Sequence, residues 1–308
     1  MQESNLNPDA SEDVGIVQAV QHVKRMRGGA QSHMLRCSDG KFYITKFRNN
    51  PQHVKVLANE IIATKLARLI GLTIPRPAII EVSDWLIRHS PELSILLSGQ
   101  TISCEAGLQF GSEYAICPTN GRVLDFLPVE LLHSVRNLNE FAGIFALDKW
   151  LGNADGRQAV FHRKGRERKY TASFIDFGYC FNAGDWNFPD YPLRGTFYRN
   201  EVYWNITGFE SFEPWLSRLE TLDENLIWMT IGGTPPKWYN SEWDALQRLG
   251  EEIIDRRSRV RDLITQFCVS VRNPFPRWGL KSEYWVEESQ PEVGSVPANA
   301  ALAMKVAG

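Results

Sequence analysis

Lys46 and Glu60 form the first pair of charged residues along the chain with a possible catalytic or binding role. Lys46 ends the apolar run YITKF, and Glu60 lies in the next helical pattern of the chain. An ammonium can bind phosphate oxygens, and a carboxylate on a neighbouring helix can hold it in place by an ion pair. A lysine and a glutamate at such positions are also common surface residues, so the pair gains meaning only together with residues farther along the chain.

Two acidic residues stand out in the second half of the sequence. Asp155 lies in the polar segment GNADGRQ, after a predicted helix and before a predicted strand. There it could accept a proton from an attacking hydroxyl. Asp176 directly follows an apolar run in FIDFG, and a carboxylate at a strand end suits a hard cation. The alternative is that both segments are ordinary turns, where Asn, Asp and Gly are favoured anyway.

The first half of the chain must position Lys46 and Glu60. From Val14 the pattern predicts three antiparallel strands, with a turn at Gly28-Gly29 and a hairpin turn at Ser38-Asp39-Gly40. Residues 52–70 carry apolar side chains at helical spacing, and Gly71 supplies a stop. Two more strands are predicted, in IPRPAIIEV and from Leu108 to Ile116.

The second half must position the two aspartates. Its pattern predicts a helix over 129–151, a hairpin of AVFHR and YTASFIDFGY around KGRERK, an irregular segment over 180–203, and helices near 213–230 and 241–269. The chain then divides into a polar tail (1–13), a β-rich region (14–118), a helical region (119–281) and a second tail (282–308), which we expect to be mobile.

Composition excludes several classes of function. The 308 residues include 34 Lys+Arg and 36 Asp+Glu, a net charge of −2, so direct nucleic-acid binding is not expected. The sequence has no run of about 18 apolar residues, so no membrane span is predicted, and its polar start lacks the features of a signal peptide. A cytoplasmic protein without membrane attachment is expected. The five cysteines form no C-x-x-C pair, so a zinc module is not predicted.

The order strand Lys, helix Glu, loop Asp and strand-end Asp resembles the HipA-like kinases, over roughly residues 14–270. The resemblance implies an α+β, bilobal protein-kinase-like fold, with a small β-rich N-lobe and a mainly helical C-lobe. It also implies that ATP and Mg²⁺ bind in the cleft between the lobes.

The resemblance assigns a role to each residue. Lys46 resembles the lysine that binds the ATP phosphates, and Glu60 resembles its helix partner. Asp155 resembles the catalytic aspartate and Asp176 the metal-binding one. The segment RGGAQS stands where the family has its phosphate-covering loop, which makes Gly28, Gly29, Gln31 and Ser32 nucleotide-binding candidates.

The catalytic-loop segment departs from the family at one position. The family carries a metal-binding asparagine five residues after the aspartate, where this chain has Val160. Gln158 lies nearby and offers an amide oxygen, so we expect it to serve as the second metal ligand beside Asp176.

The resemblance therefore implies an ATP-dependent phosphotransferase, with a protein Ser/Thr as the expected acceptor. Two alternatives stay open. One is transfer of an adenylyl group, and the other is a pseudokinase that binds a nucleotide or acts as a scaffold for a protein partner.

Overall fold

A computed structural model describes residues 15–116, 121–270 and 274–279. The two predicted tails, 1–13 and 282–308, and the predicted boundary between residues 118 and 119 lie outside these ranges. Within them, no helix combines the length and apolar character needed to cross a membrane.

The strands of the first half close into a barrel in the order β1-β2-β3-β7-β4. They are β1 (Ile16–Arg25), β2 (His33–Cys37), β3 (Phe42–Lys46), β4 (Pro77–Val82) and β7 (Gly107–Glu113). Neighbouring strands run antiparallel, except that β1 and β4 close the barrel in parallel. Gly40 makes the predicted β2–β3 turn with φ +79°, a conformation that glycine adopts without strain.

Helix α1 (Val56–Leu69) confirms the predicted helix and its stop. Gly71 has φ +87°, and its N–H donates to the carbonyl of Arg68 while the N–H of Leu72 donates to that of Ala67. This pair of bonds is a Schellman termination. Buried residues of α1 share one hydrophobic cluster with those of α3 (Glu140–Trp150), so α1 joins the barrel to the helical half.

The barrel carries an addition that the pattern analysis missed. A short helix, α2 (Asp84–His89), and a hairpin of β5 (Ser94–Leu97) and β6 (Gln100–Ser103) lie between β4 and β7.

The helical half contains a second sheet, in the order β10-β9-β8. Its strands are β8 (Gly121–Leu124), β9 (Gln158–Lys164) and β10 (Thr171–Ile175). The remaining helices are α4 (Trp215–Glu220), α5 (Glu224–Gly232), α6 (Trp243–Arg256) and α7 (Val260–Cys268). The segment over 180–203 is irregular as predicted, apart from a 3₁₀ turn at Asn200–Tyr203.

The prediction of one helix over 129–151 is wrong. A 3₁₀ helix covers Val129–Ser134, and α3 begins only at Glu140. Between them Asn137 bonds the backbone of Ala172 twice: its amide donates to the carbonyl at 2.9 Å and its oxygen accepts the N–H at 2.9 Å. The segment follows the edge of β10 because these bonds replace helical ones.

Candidate active site

Lys46 and Glu60 form the predicted ion pair. Lys46 ends β3, opposite Phe110 of β7, and its side chain reaches α1, where Nζ contacts Oε1 of Glu60. Lys46 is 7% exposed and Glu60 is 2% exposed. A pair this well shielded from water is held in place far more firmly than a surface pair.

Asp176 joins the same cluster from the other half of the molecule. Its Oδ1 lies 2.8 Å from Nζ of Lys46, and its Oδ2 accepts a 3.0 Å hydrogen bond from Nε2 of Gln158. Gln158 lies opposite Ile175 in the β9–β10 register, so the hairpin brings it beside the residue that follows β10. Asp176 itself has φ +63°, which turns the chain sharply out of the strand.

The three charged groups have different protonation tendencies. Burial alone would lower the pKa of Lys46, but attraction by Glu60 and Asp176 outweighs burial and raises it. Burial raises the pKa of Glu60 despite the attraction of Lys46. Burial would also raise the pKa of Asp176, but attraction and hydrogen bonding by Lys46 hold it below its usual value. Asp176 is therefore the carboxylate that stays ionised and available to a cation.

Asp155 is exposed on the loop between α3 and β9. Its N–H donates to Oδ1 of Asn153 at 3.1 Å, and its own Oδ1 accepts the N–H of Gly156 at 2.7 Å. Its carbonyl accepts the N–H of Gly195 at 3.1 Å. The loop is thus fixed while the carboxylate faces open space.

One cavity of about 1140 Å³ is lined by all four predicted charged residues. It lies between the barrel and the helical half, with Ile44 and Phe110 from the barrel and Phe174 and Ile175 from β10. Its volume is sufficient for a small-molecule ligand, and its lining combines apolar side chains with charged and polar ones from both halves.

The loop over 27–32 lies beside this cavity, but not every nucleotide-binding candidate on it lines the cavity. Gly28, Gly29 and Ser32 line the cavity, whereas Gln31 is not among the lining residues. The amide of Gln31 instead pairs with the backbone of Leu96, donating to its carbonyl at 2.8 Å and accepting its N–H at 2.7 Å. The side chain of Gln31 therefore anchors the loop to β5, and the assignment of Gln31 to nucleotide binding stays a prediction.

A buried ion pair beneath the site was not recognised in the sequence. Asp148 of α3 and Arg157 have fully buried side chains and are joined by bonds of 2.9 and 2.5 Å. Arg157 also donates to the carbonyls of Ile175 and Asp176, at 2.7 and 3.1 Å, and Asn153 donates to Asp148 at 2.9 Å. This pair therefore positions both the Asp155 loop and the turn at Asp176.

Asn59 is a second positioning residue that pattern analysis missed. It is fully buried beside Glu60 on α1, and its amide nitrogen lies 2.8, 2.9 and 2.7 Å from the carbonyls of Gly178, Cys180 and Ala183. A Cβ on Gly178 would lie 2.6 Å from Val56, so only glycine permits this close approach. The turn after Asp176 is thereby fixed to the helix that carries Glu60.

The donor set fits a single divalent ion. Asp176 offers a carboxylate and Gln158 an amide, the oxygen ligands that Mg²⁺ prefers when substrate phosphates complete its shell. No cluster of three or more His, Cys, Asp or Glu side chains suited to a metal occurs within the described ranges. Val160 lines the cavity without an oxygen to offer.

The sequence model of the HipA-like kinase family matches residues 17–163. The match runs from β1 to β9 and confirms the resemblance that the sequence predicts. It supports a kinase-like phosphotransferase. A comparison with curated protein sequences gave no match.

Solved structures confirm the kinase-like α+β fold. The proinflammatory kinase CtkA of Helicobacter pylori is similar with a TM-score of 0.54 and 15% identity, over 84% of this chain and all of that chain. More distant likenesses include the Golgi casein kinase (TM-score 0.44, 12% identity, 85% of this chain and 75% of that one). Another is HipA of Shewanella oneidensis MR-1, solved with HipB and operator DNA (TM-score 0.44, 12% identity, 82% and 69%).

Proposed function

We propose that this protein transfers the γ-phosphoryl group of ATP to the hydroxyl of a Ser or Thr in a protein, with Mg²⁺ bound beside Asp176. The observation that carries the proposal is the contact of Lys46 with both Glu60 and Asp176 at one side of a nucleotide-sized cavity that Asp155 also lines. The domain division into an N-lobe over 14–118 and a C-lobe over 119–281 is part of the same proposal.

The apolar part of the cavity suits the base of the nucleotide. Ile44 and Phe110 form its wall on the barrel side, and Phe174 forms its wall on the other. The phosphates would then extend toward Lys46 and the loop carrying Gly28 and Gly29, whose backbone can approach an anion closely.

The charged residues have distinct tasks in the transfer. Lys46 binds phosphate oxygens, and Glu60 holds its ammonium in position. Asp176 and Gln158 would hold the divalent ion, which supplies neutralising charge to the phosphates when bound. Gln158 would turn its amide so that the oxygen, not Nε2, faces the ion.

Asp155 orients the acceptor. Its carboxylate accepts the hydroxyl proton as the acceptor oxygen forms a bond to the γ-phosphorus. The bond from that phosphorus to the β–γ bridging oxygen breaks, and ADP leaves with the electron pair. The exposure of Asp155 allows a macromolecular acceptor to reach it.

The test is transfer of label from ATP to a general protein substrate. Asp155→Asn and Asp176→Asn should each lower the rate at least about 100-fold, since each removes a group needed in the transition state. Asp244→Asn is the matched control, because Asp244 is exposed on α6 and does not line the cavity. Transfer that persists in both site variants would refute the proposed site.

The position of the label separates phosphoryl from adenylyl transfer. Label from the γ-phosphate should appear on the acceptor, whereas label from the α-phosphate should not. The reverse result would replace the proposed reaction with adenylylation at the same site.

A second candidate function is a nucleotide-binding pseudokinase, and Val160 is the observation that favours it. A site with one amide and one carboxylate for metal has fewer ligands than a two-metal transfer site. Thermal stabilisation by ATP without any labelled product, under conditions where the protein is folded, would favour this candidate.

A further inference from the structure

The loop that covers the cavity is a closed turn. The N–H of Met26 donates to the carbonyl of Ser32 at 2.8 Å, and the N–H of Gln31 donates to that of Gly28 at 3.2 Å. These bonds close the chain on itself between β1 and β2. Arg27 therefore stands at a defined place, between a paired residue and the start of the turn.

Two side chains fix this turn to the rest of the barrel. The amide of Gln31 pairs with both backbone groups of Leu96 on β5. The amide nitrogen of Asn50 donates to the carbonyl of Ala30 at 2.7 Å. The turn is held from two sides, so the backbone of Arg27 keeps its position relative to the cavity.

Three basic residues beside this turn line the cavity: Lys24, Arg25 and Arg27. The guanidinium of Arg25 contacts Oε1 of Gln31, which uses one of its donors within the barrel. Lys24 and Arg27 are exposed, and neither forms an ion pair with any residue of the described ranges. Their charges are available to a ligand.

The other cations around the cavity are already neutralised. Lys46 lies between the carboxylates of Glu60 and Asp176. Arg157 is paired with Asp148 beneath the cavity floor. A nucleoside triphosphate carries several negative charges, and charge develops further on the transferring group. A cation at the loop without a carboxylate partner can therefore add to the charge that Lys46 and the divalent ion supply.

We propose that Arg27 binds the terminal phosphate of the nucleotide and distinguishes a triphosphate from a diphosphate. A guanidinium binds two phosphate oxygens at once, which suits it to this task better than a lysine. Lys24, on β1 before the turn, adds a weaker and less directional attraction. This inference rests on the proposed function, because it places a nucleotide triphosphate in the cavity.

The proposal gives Arg27 a role that a second metal ion would otherwise have. Val160 lines the same cavity and has no oxygen to hold such an ion. A guanidinium on the anchored loop supplies positive charge without further ligands.

The test compares the affinities for ATP and ADP by titration calorimetry, once in EDTA and once with Mg²⁺. Arg27→Ala should weaken ATP binding about tenfold while changing ADP binding no more than about twofold, because one charge-assisted contact to the outer phosphate is lost. Arg27→Lys should recover part of the ATP affinity. Arg36→Ala is the matched control, since Arg36 is exposed on β2 and does not line the cavity.

The outcomes separate this inference from the function on which it rests. Wild-type protein that binds neither nucleotide refutes the proposed function, and this inference with it. Wild-type protein that binds both, with Arg27→Ala weakening ATP and ADP equally or weakening neither, refutes the role of Arg27 alone. A thermal melt of each variant excludes unfolding as the cause of a lost affinity.

Discussion

Two buried ion clusters meet at the turn of Asp176, whose carbonyl accepts a hydrogen bond from Arg157, and they differ in their exposure to ligands. Asp148 and Arg157 have side chains with no exposed surface. Lys46 and Asp176 retain 9% and 18% side-chain exposure and line the cavity. The first cluster is closed to ligands, whereas the second can exchange one of its internal contacts for a contact with a ligand.

Hydrogen bonding follows the same division. Arg157 directs its donors to Asp148 and to two backbone carbonyls, and its guanidinium stacks 4.2 Å from the ring of Phe177. Lys46 has only two carboxylates, and one of them, Asp176, is shared with Gln158. The closed cluster of Asp148 and Arg157 stabilises the fold, whereas the open cluster of Lys46 and Asp176 can bind a ligand. Buried charge in this molecule therefore serves two separate purposes, stability in the first cluster and ligand binding in the second.

Arg157→Met should produce the largest loss of stability. It leaves Asp148 buried without a counter-charge and releases the carbonyls at Ile175 and Asp176, so the free energy of unfolding should fall by about 3–5 kcal/mol. Urea denaturation measures the change. Arg163→Met, on the adjoining strand β9, is the control and should cost less than about 1 kcal/mol.

A paired replacement tests whether the missing charge is the cause. Replacing Asp148 with Leu together with Arg157→Met removes both charges and should recover part of the loss. If Arg157→Met unfolds within about 1 kcal/mol of the wild type, the closed cluster is not a stabilising element of the kind described.

Lys46→Met should have its main effect on transfer and not on stability. The rate should fall about 10²–10³-fold, the cost of losing a preorganised charge at the reacting group. Unfolding should change less than in Arg157→Met, because burial already raises the pKa of Glu60, so that it can take up a proton when its partner is lost.

Lys41→Met provides the control for Lys46→Met. Lys41 forms an exposed pair with Glu113 on the same barrel, at 2.9 Å. It should affect neither rate nor stability appreciably. A loss of stability in Lys46→Met equal to that in Arg157→Met would erase the distinction between the two clusters.

Asn59→Ala tests the uncharged hydrogen bonds that join α1 to the turn after Asp176. It removes the donor for three buried carbonyls and the acceptor for the indole N–H of Trp186, so the free energy of unfolding should fall by about 2 kcal/mol. Transfer activity should fall as well, because α1 carries Glu60. Trp186→Phe removes only the indole bond and should have a smaller effect. Equal losses in the two variants would contradict the role given to the carbonyl contacts.

Much of the barrel could be predicted because its signals are local. The Asp39-Gly40 turn, the helical spacing of α1 and its stop at Gly71 depend on neighbouring residues only. Lys46 and Glu60 could be predicted for the same reason, since one ends a strand and the other lies on the next helix.

Other features depend on partners far away in the sequence. Helix formation over 129–151 is favoured by local spacing, yet Asn137 bonds the backbone at Ala172, 35 residues later. The role of Asn59 depends on carbonyls about 120 residues away. Pattern analysis contains no information on such contacts, so it could not predict the ion pair of Asp148 and Arg157.

The contact of Gln31 with the β5–β6 hairpin had a detectable signal in the sequence. Its side chain binds Leu96 on β5, and the β5–β6 hairpin was overlooked. Ser98 and Gly99 both have positive φ, which is typical of a two-residue hairpin turn. The run SILL-SG-QTIS carries that turn between two short strand-like segments.

Lys149 is a third buried cation, and it should produce the smallest effect and depend on pH. Its Nζ donates to the carbonyls of Pro192 and Arg194, at 2.7 and 2.6 Å, instead of to a carboxylate. Burial, only partly offset by Asp148 and Asp190, lowers the pKa of Lys149 to about 8.

The sign of this pH dependence is set by proton binding. Between pH 8 and about 10.5 the unfolded chain binds more protons at residue 149 than the folded chain does, so this residue's contribution to the free energy of unfolding rises with pH. The free energy of unfolding of the wild type should therefore rise relative to that of Lys149→Met by about 1–2 kcal/mol across this window. Lys237→Met, at an exposed lysine, should show no such change. A flat difference would mean that burial does not lower the pKa of Lys149, so that carbonyl contacts alone neutralise this buried cation.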